Sequence, residues 1–164
     1  TIVSLEQKYK AVIPGVQTLD GSPVTLSGFI DRIDRVGNEL RIVDYKSGGV
    51  KQGDLNLGML LDFSGGKRGK ALQLLVYGLL VGHASPEYLS EGFTVGNVSL
   101  KNISEGLINV RQGEGRKYNE VKITPKFSEE IKGSFNTIFQ EMIHGLEYFQ
   151  HEDEAKYCDF CLKD

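Results

Sequence analysis

Three residues set the chemical possibilities of this chain: Asp31, Asp44 and Lys46. Carboxylates are hard oxygen ligands, suited to Mg²⁺ or Mn²⁺. A divalent cation held by both would lower the pKa of a bound water and polarise a phosphoryl oxygen. A lysine two residues from one ligand can orient the nucleophile or stabilise charge in the transition state. The main-chain carbonyl of Tyr45, between the two side chains, is a candidate extra ligand. Phosphodiester hydrolysis is the chemistry this set permits. The plainer reading is a half-exposed carboxylate pair bridged by a lysine.

A hairpin must hold these groups. VTLSGFIDRID (24–34) is rich in β-branched residues and alternates well, and LRIVDYK (40–46) follows it. Gly37-Asn38 between them is a two-residue turn signal, because both positions tolerate φ > 0. That turn fixes the register. It sets Ile33 opposite Ile42, Asp31 opposite Asp44, and Phe29 opposite Lys46. Alternation then places Asp31, Asp44 and Lys46 on one face, among Phe29, Ile33, Leu40 and Ile42, with Arg35 beside the turn. Like charges facing each other on an apolar face repel and are costly to desolvate. A cation between them relieves both costs.

A mostly buried helix is expected over 71–83, ALQLLVYGLLVGH. Gln73 and Tyr77 are four apart and share one of its faces. Their polar groups need partners, either nearby backbone or the acidic hairpin. Ahead of the helix, Lys67, Arg68 and Lys70 stand among Gly65, Gly66 and Gly69. Cations on flexible backbone near a helix N-terminus suit phosphate contact, and a solvated basic loop reads equally well. The segment is no Walker A loop, since Ala71 stands where Ser or Thr is required.

The rest of the chain supplies scaffolding. Residues 2–13 read as a strand, and Asp20-Gly21-Ser22-Pro23 is a strong breaker. Residues 47–70 are glycine-rich and without period, which marks a functional or mobile loop. Segments 88–111 and 117–124 carry strand-like stretches: YLSEGFTV, VSLKNI and LINVR. Residues 127–149 form the clearest amphipathic helix, with Phe127, Ile131, Phe135, Ile138, Phe139, Met142, Ile143 and Leu146 on its apolar stripe. Pro125 and Ser128 suit its start. The order of strands, helix, strands and helix predicts one α/β domain over 1–164, with a mixed sheet and flanking helices.

Composition narrows the class. The 164 residues are 40% hydrophobic and 25% charged, as in globular domains. No apolar run approaches the ~20 residues of a membrane span, and TIVSLEQKYK is too polar for a signal peptide. A net charge of -3 and a pI near 5.7 argue against nucleic-acid binding through global charge. Any such contact must use a local patch or a metal. Cys158 and Cys161 alone make no disulfide framework, so a reducing, cytoplasmic compartment is expected. The chain begins at Thr1 rather than Met, which suggests a fragment of a longer protein.

GFIDRID, then IVDYKSG, then LQLLVY resembles the RecB-like branch of the PD-(D/E)XK nucleases. The matching pieces are Gly28-Phe29-Ile30-Asp31, Asp44-Tyr45-Lys46-Ser47 and Gln73-x-x-x-Tyr77. The resemblance implies a restriction-endonuclease-like core, metal ligands at Asp31 and Asp44, a catalytic Lys46, and a supporting helix motif at Gln73 and Tyr77. Within the branch the chain looks most like the C-terminal nuclease domain of AddB-type helicase-nuclease subunits, which process double-strand breaks. CRISPR-associated exonucleases are the near alternative. The implied partners are DNA, a helicase region of the same chain and a partner subunit.

Two departures accompany the resemblance. The family often has a further ligand on an upstream helix, whereas here no His precedes His83 and Glu6 falls in an expected strand. Many members also hold an iron–sulfur cluster, but Cys158-x-x-Cys161 supplies two thiolates where closure needs four. The pair reads as a cluster or zinc remnant, or as two free thiols. A fold of this kind that binds DNA or scaffolds without cutting is the second expectation. A domain whose acids bind only stray cations is the third.

Overall fold

The computed structural model describes residues 1–59, 61 and 68–144. Lys67, Cys158 and Cys161 lie outside them, as do residues 145–149 of the expected second helix and its Leu146. The chain runs β1 (Ile2–Gln17), β2 (Pro23–Val36), β3 (Glu39–Lys46), β4 (Asn56–Leu57), α1 (Gly69–Ala84), α2 (Pro86–Glu91), β5 (Phe93–Ser99), β6 (Leu107–Asn109), β7 (Arg111–Glu114), β8 (Lys117–Glu120) and α3 (Pro125–His144). One sheet has the order β1-β2-β3-β5-β6, and a smaller one has β4-β7-β8. β3 and β5 run parallel, and the other neighbours in the large sheet run antiparallel. The expected mixed sheet with flanking helices is therefore present, consistent with a restriction-endonuclease-like fold.

The parallel pair follows from connectivity. Parallel neighbours need a long crossover, and α1 lies on it between β3 and β5. Leu74, Leu75, Leu80 and Val81 of α1 are wholly buried, as are Ile30, Ile33, Leu40, Ile42, Phe93 and Val95 of the sheet. α1 packs across β1, β2, β3 and β5, and α3 packs on α1 and β1. Ile131 at 0% and Phe135 at 3% exposure anchor α3, whereas Met142 at 58% leaves the core. Thr124 Oγ1 accepts from the Phe127 N–H at 3.3 Å and caps this helix.

The β2–β3 hairpin keeps the expected register, with Ile33 opposite Ile42 and Arg32 opposite Val43. Its turn differs in detail. Gly37 takes φ +57, while Asn38 stays at negative φ, so glycine alone supplies the left-handed residue.

The expected face is correct only on one side of a break. Phe29 is 60% exposed and sits under the Lys8 ammonium, 5.6 Å from its ring centre, rather than on the buried face with Lys46. Ile30 is buried in its place. Buried residues then continue at Ile33, three positions on, so strict alternation fails between them. β1 does the same: Ala11 and Ile13 are buried, whereas nearer the N-terminus Ser4 is the half-buried residue. Between the two patterns Glu6 takes φ +47, flanked by the pairs Leu5–Arg32 and Gln7–Ile30. Both strands turn over at this level, which is the level of Asp31.

YLSEGFTV is not one strand. Tyr88–Glu91 belong to α2, and β5 starts at Phe93. Pro86 at the first turn favours a helix start, and Gly92 at φ +75 ends it. VSLKNI likewise leaves β5 after Ser99 and passes through a short helical turn at Ile103–Glu105.

Candidate active site

The hairpin ladder ends at Arg32–Val43, just before Asp31 and Asp44. In this register the next rung would join Tyr45 to Ile30. Instead the Tyr45 N–H donates to Asp31 Oδ2 at 2.8 Å. The Asp31 carboxylate thus takes the place of a backbone acceptor where β2 and β3 part. Beyond this point β3 is held by β5, through Asp44–Asn97, Tyr45–Val98 and Lys46–Ser99.

Asp44 is 3% exposed. Its Oδ2 accepts from Lys46 Nζ at 2.9 Å and from Asn97 Nδ2 at 2.6 Å. Burial pushes its carboxyl above the usual range; Lys46 opposes that shift and nearby Asp31 adds to it. Lys46 also donates to Gln73 Oε1 at 2.6 Å, and Gln73 Nε2 donates to the Tyr77 hydroxyl at 2.7 Å. Burial raises the Tyr77 phenol and keeps it protonated. One polar chain therefore runs from β5 through β3 into α1: Asn97, Asp44, Lys46, Gln73, Tyr77.

Gly28 of the GFID stretch has a steric role. A β-carbon there would stand 3.3 Å from Leu80 Cδ1 and 3.4 Å from Tyr77 Cε1. Its absence lets the Tyr77 ring settle against β2.

The donor set fits a small hard cation. Among the described residues, Asp31 Oδ1 and Asp44 Oδ1 have no hydrogen-bond partner, while each Oδ2 is engaged. Mg²⁺ is commonly held by one or two carboxylates and otherwise keeps its waters. No group of three or more His, Cys, Asp or Glu able to hold a metal occurs among the described residues. Glu6, exposed in β1 at the level of Asp31, forms no metal-holding group with Asp31 and Asp44 among the described residues.

The basic loop contributes differently. Lys70 Nζ pairs with Asp54 Oδ2 at 2.7 Å and donates to Gly49 O at 3.0 Å. It ties the segment after β3 to the start of α1. Arg68 is the residue that precedes α1.

Two groups escaped the sequence reading. Asn97 lies in a strand whose Phe93, Val95 and Thr94 are wholly buried, and an amide there must have a partner. That signal was readable; the identity of the partner was not. Asp34, three residues from Asp31, is 1% exposed and pairs with Arg41 and Arg32. Burial raises its carboxyl, but Arg41 and then Arg32 outweigh this and hold it below the ordinary value.

No curated protein and no solved structure matches this chain. A family model described as the PD-(D/E)XK nuclease superfamily matches residues 1–162. That span contains both carboxylates, the lysine and the helix motif, and the chain belongs to the PD-(D/E)XK nuclease superfamily.

Proposed function

We propose that this chain is a Mg²⁺- or Mn²⁺-dependent DNA nuclease domain, acting as an exonuclease within a helicase-nuclease that processes double-strand breaks. The observation that carries the reading is the Lys46 ammonium held between Asp44 and Gln73, with Asp31 at the same end of the hairpin. Asp31 and Asp44, with the Tyr45 carbonyl, are the residues that would hold the cation. When bound, the cation lowers the pKa of a water and polarises a phosphoryl oxygen. Lys46 places a positive charge where negative charge builds up on the phosphate. Gln73 fixes that charge in position, and Tyr77 fixes Gln73.

The test is cleavage of linear single- and double-stranded DNA by the full-length chain with Mg²⁺. Asp44→Ala and Lys46→Ala should each lower the rate about 10²–10³-fold, the scale of losing a group that stabilises the transition state. Rates equal to wild type in both variants would remove these residues from the mechanism.

A second reading, DNA binding without cleavage, draws on one observation: no third acid joins Asp31 and Asp44 among the described residues. DNA affinity in the full-length chain without turnover in any divalent cation selects it.

A further inference from the structure

Asn97 is wholly buried and lies beside Asp44 in the parallel β3–β5 ladder. Its Nδ2 donates to Asp44 Oδ2 at 2.6 Å and reaches the Asp44 main-chain oxygen at 3.4 Å. Lys46 Nζ converges on the same Oδ2. Two donors thus occupy one carboxylate oxygen, and Oδ1 is the one left over.

The other end of the amide is informative. Asn97 Oδ1 is buried without a hydrogen-bond partner. Turning the amide over would set that oxygen against Asp44 Oδ2, two acceptors facing each other. The negative carboxylate therefore holds the amide in a single sense, and the orphaned oxygen is the cost. An unmet buried acceptor weakens a fold, so an apolar residue would serve the core better here. The amide serves Asp44.

We propose that Asn97 is a positioning residue, which fixes the Asp44 carboxylate so that Oδ1 is the oxygen offered to the divalent cation. The role given to Asp44 rests on the metal-dependent nuclease reading.

The experiment is Mn²⁺ titration by calorimetry on the full-length chain, with DNA cleavage measured in parallel. The variants are Asn97→Leu, close in size and unable to donate, and Asn97→Ser, which cannot overpack and is too short to reach Oδ2. Thermal melting checks that each is folded. Both should bind Mn²⁺ about 10–100-fold more weakly, the usual loss when a ligand's supporting partner is removed. The kcat should fall with them while KM for DNA holds. Wild-type Mn²⁺ affinity in a folded variant of either kind overturns the proposal; if Asn97→Leu does not fold, Asn97→Ser decides. Weakened Mn²⁺ binding in the variants without any cleavage by wild type defeats the nuclease reading and leaves the positioning role standing. A wild-type chain that binds no Mn²⁺ defeats both.

Discussion

Lys46 Nζ donates to Gln73 Oε1 at 2.6 Å, a bond that joins the end of β3 to the first turns of α1. The lysine stem is flexible, so its charge is useful only where something holds it. Gln73 provides that hold, and Tyr77 in turn receives the glutamine's N–H. Gln73→Leu should lower kcat about 10-fold with little change in KM for DNA, the scale of losing a supporting contact. Tyr77→Phe should cost less, because the tyrosine acts on Lys46 only through Gln73. The double variant should be no slower than Gln73→Leu alone. Additive losses in steady-state cleavage would show that Tyr77 acts on its own.

On the nuclease reading, Asp44 sets activity against stability. Its folded-state pKa is raised, first by burial. A raised carboxyl contributes stability below its unfolded value that is lost as pH rises through the folded value. Above its folded pKa the metal-free protein therefore carries a buried charge that costs stability. Asp44→Asn should stabilise the metal-free chain by about 1 kcal/mol, or a Tm rise of about 2–4 °C. It should also abolish the Mn²⁺-dependent rise in Tm that linkage predicts for the wild type on the nuclease reading. Calorimetric melting with and without Mn²⁺ reads both effects. A lower metal-free Tm in the variant would count against the burial argument.

Asp34 has the opposite sign. Its carboxyl is held below the ordinary value by Arg41 and Arg32 against the push of burial. Its contribution to stability is present above the unfolded pKa and lost as pH falls through the folded one. Asp34→Asn should destabilise the fold by about 2–3 kcal/mol at neutral pH, because two arginines lose their shared partner. The loss should shrink in acid, where the wild-type carboxyl is also neutral. Denaturant melts at pH 7 and at successively lower pH test this, and a loss independent of pH would contradict it.

Gly28 should resist substitution although it lies in an ordinary strand. Gly28→Val would press on Leu80 and on the Tyr77 ring. Overpacking of this kind costs about 1–3 kcal/mol, and displacing Tyr77 should lower cleavage as well. Gly28→Ala, with contacts of 3.3 and 3.4 Å to movable side-chain atoms, should be milder in both thermal melts and rates.

The sequence made the hairpin register readable because the turn length alone fixes it. The pairs from Arg32–Val43 to Val36–Glu39 follow it without a slip. The face was not readable as far as Phe29, because the break at Glu6 depends on a left-handed residue that no local pattern marks. Asp31 and Asp34 look alike in GFIDRID, yet one ends beside Asp44 and the other under two arginines. Only the position of the break separates them. Asn97 was hidden for another reason: it lies 53 residues from Asp44, and the parallel β3–β5 pairing that joins them leaves no trace in either strand. The helix motif was legible because residues four apart on a helix share a face whatever it packs against.

The one-sided engagement of the two carboxylates bears on which ions the protein can tell apart. With Asp31 Oδ2 on the Tyr45 N–H and Asp44 Oδ2 on Lys46 and Asn97, each acid presents a single oxygen. Ca²⁺ takes six to eight oxygens and commonly grips a carboxylate by both, whereas Mg²⁺ and Mn²⁺ accept single oxygens and water. On the metal-dependent nuclease reading, the hydrogen bonds that brace these acids would therefore also act as a sieve, one that favours Mg²⁺ and Mn²⁺ over Ca²⁺.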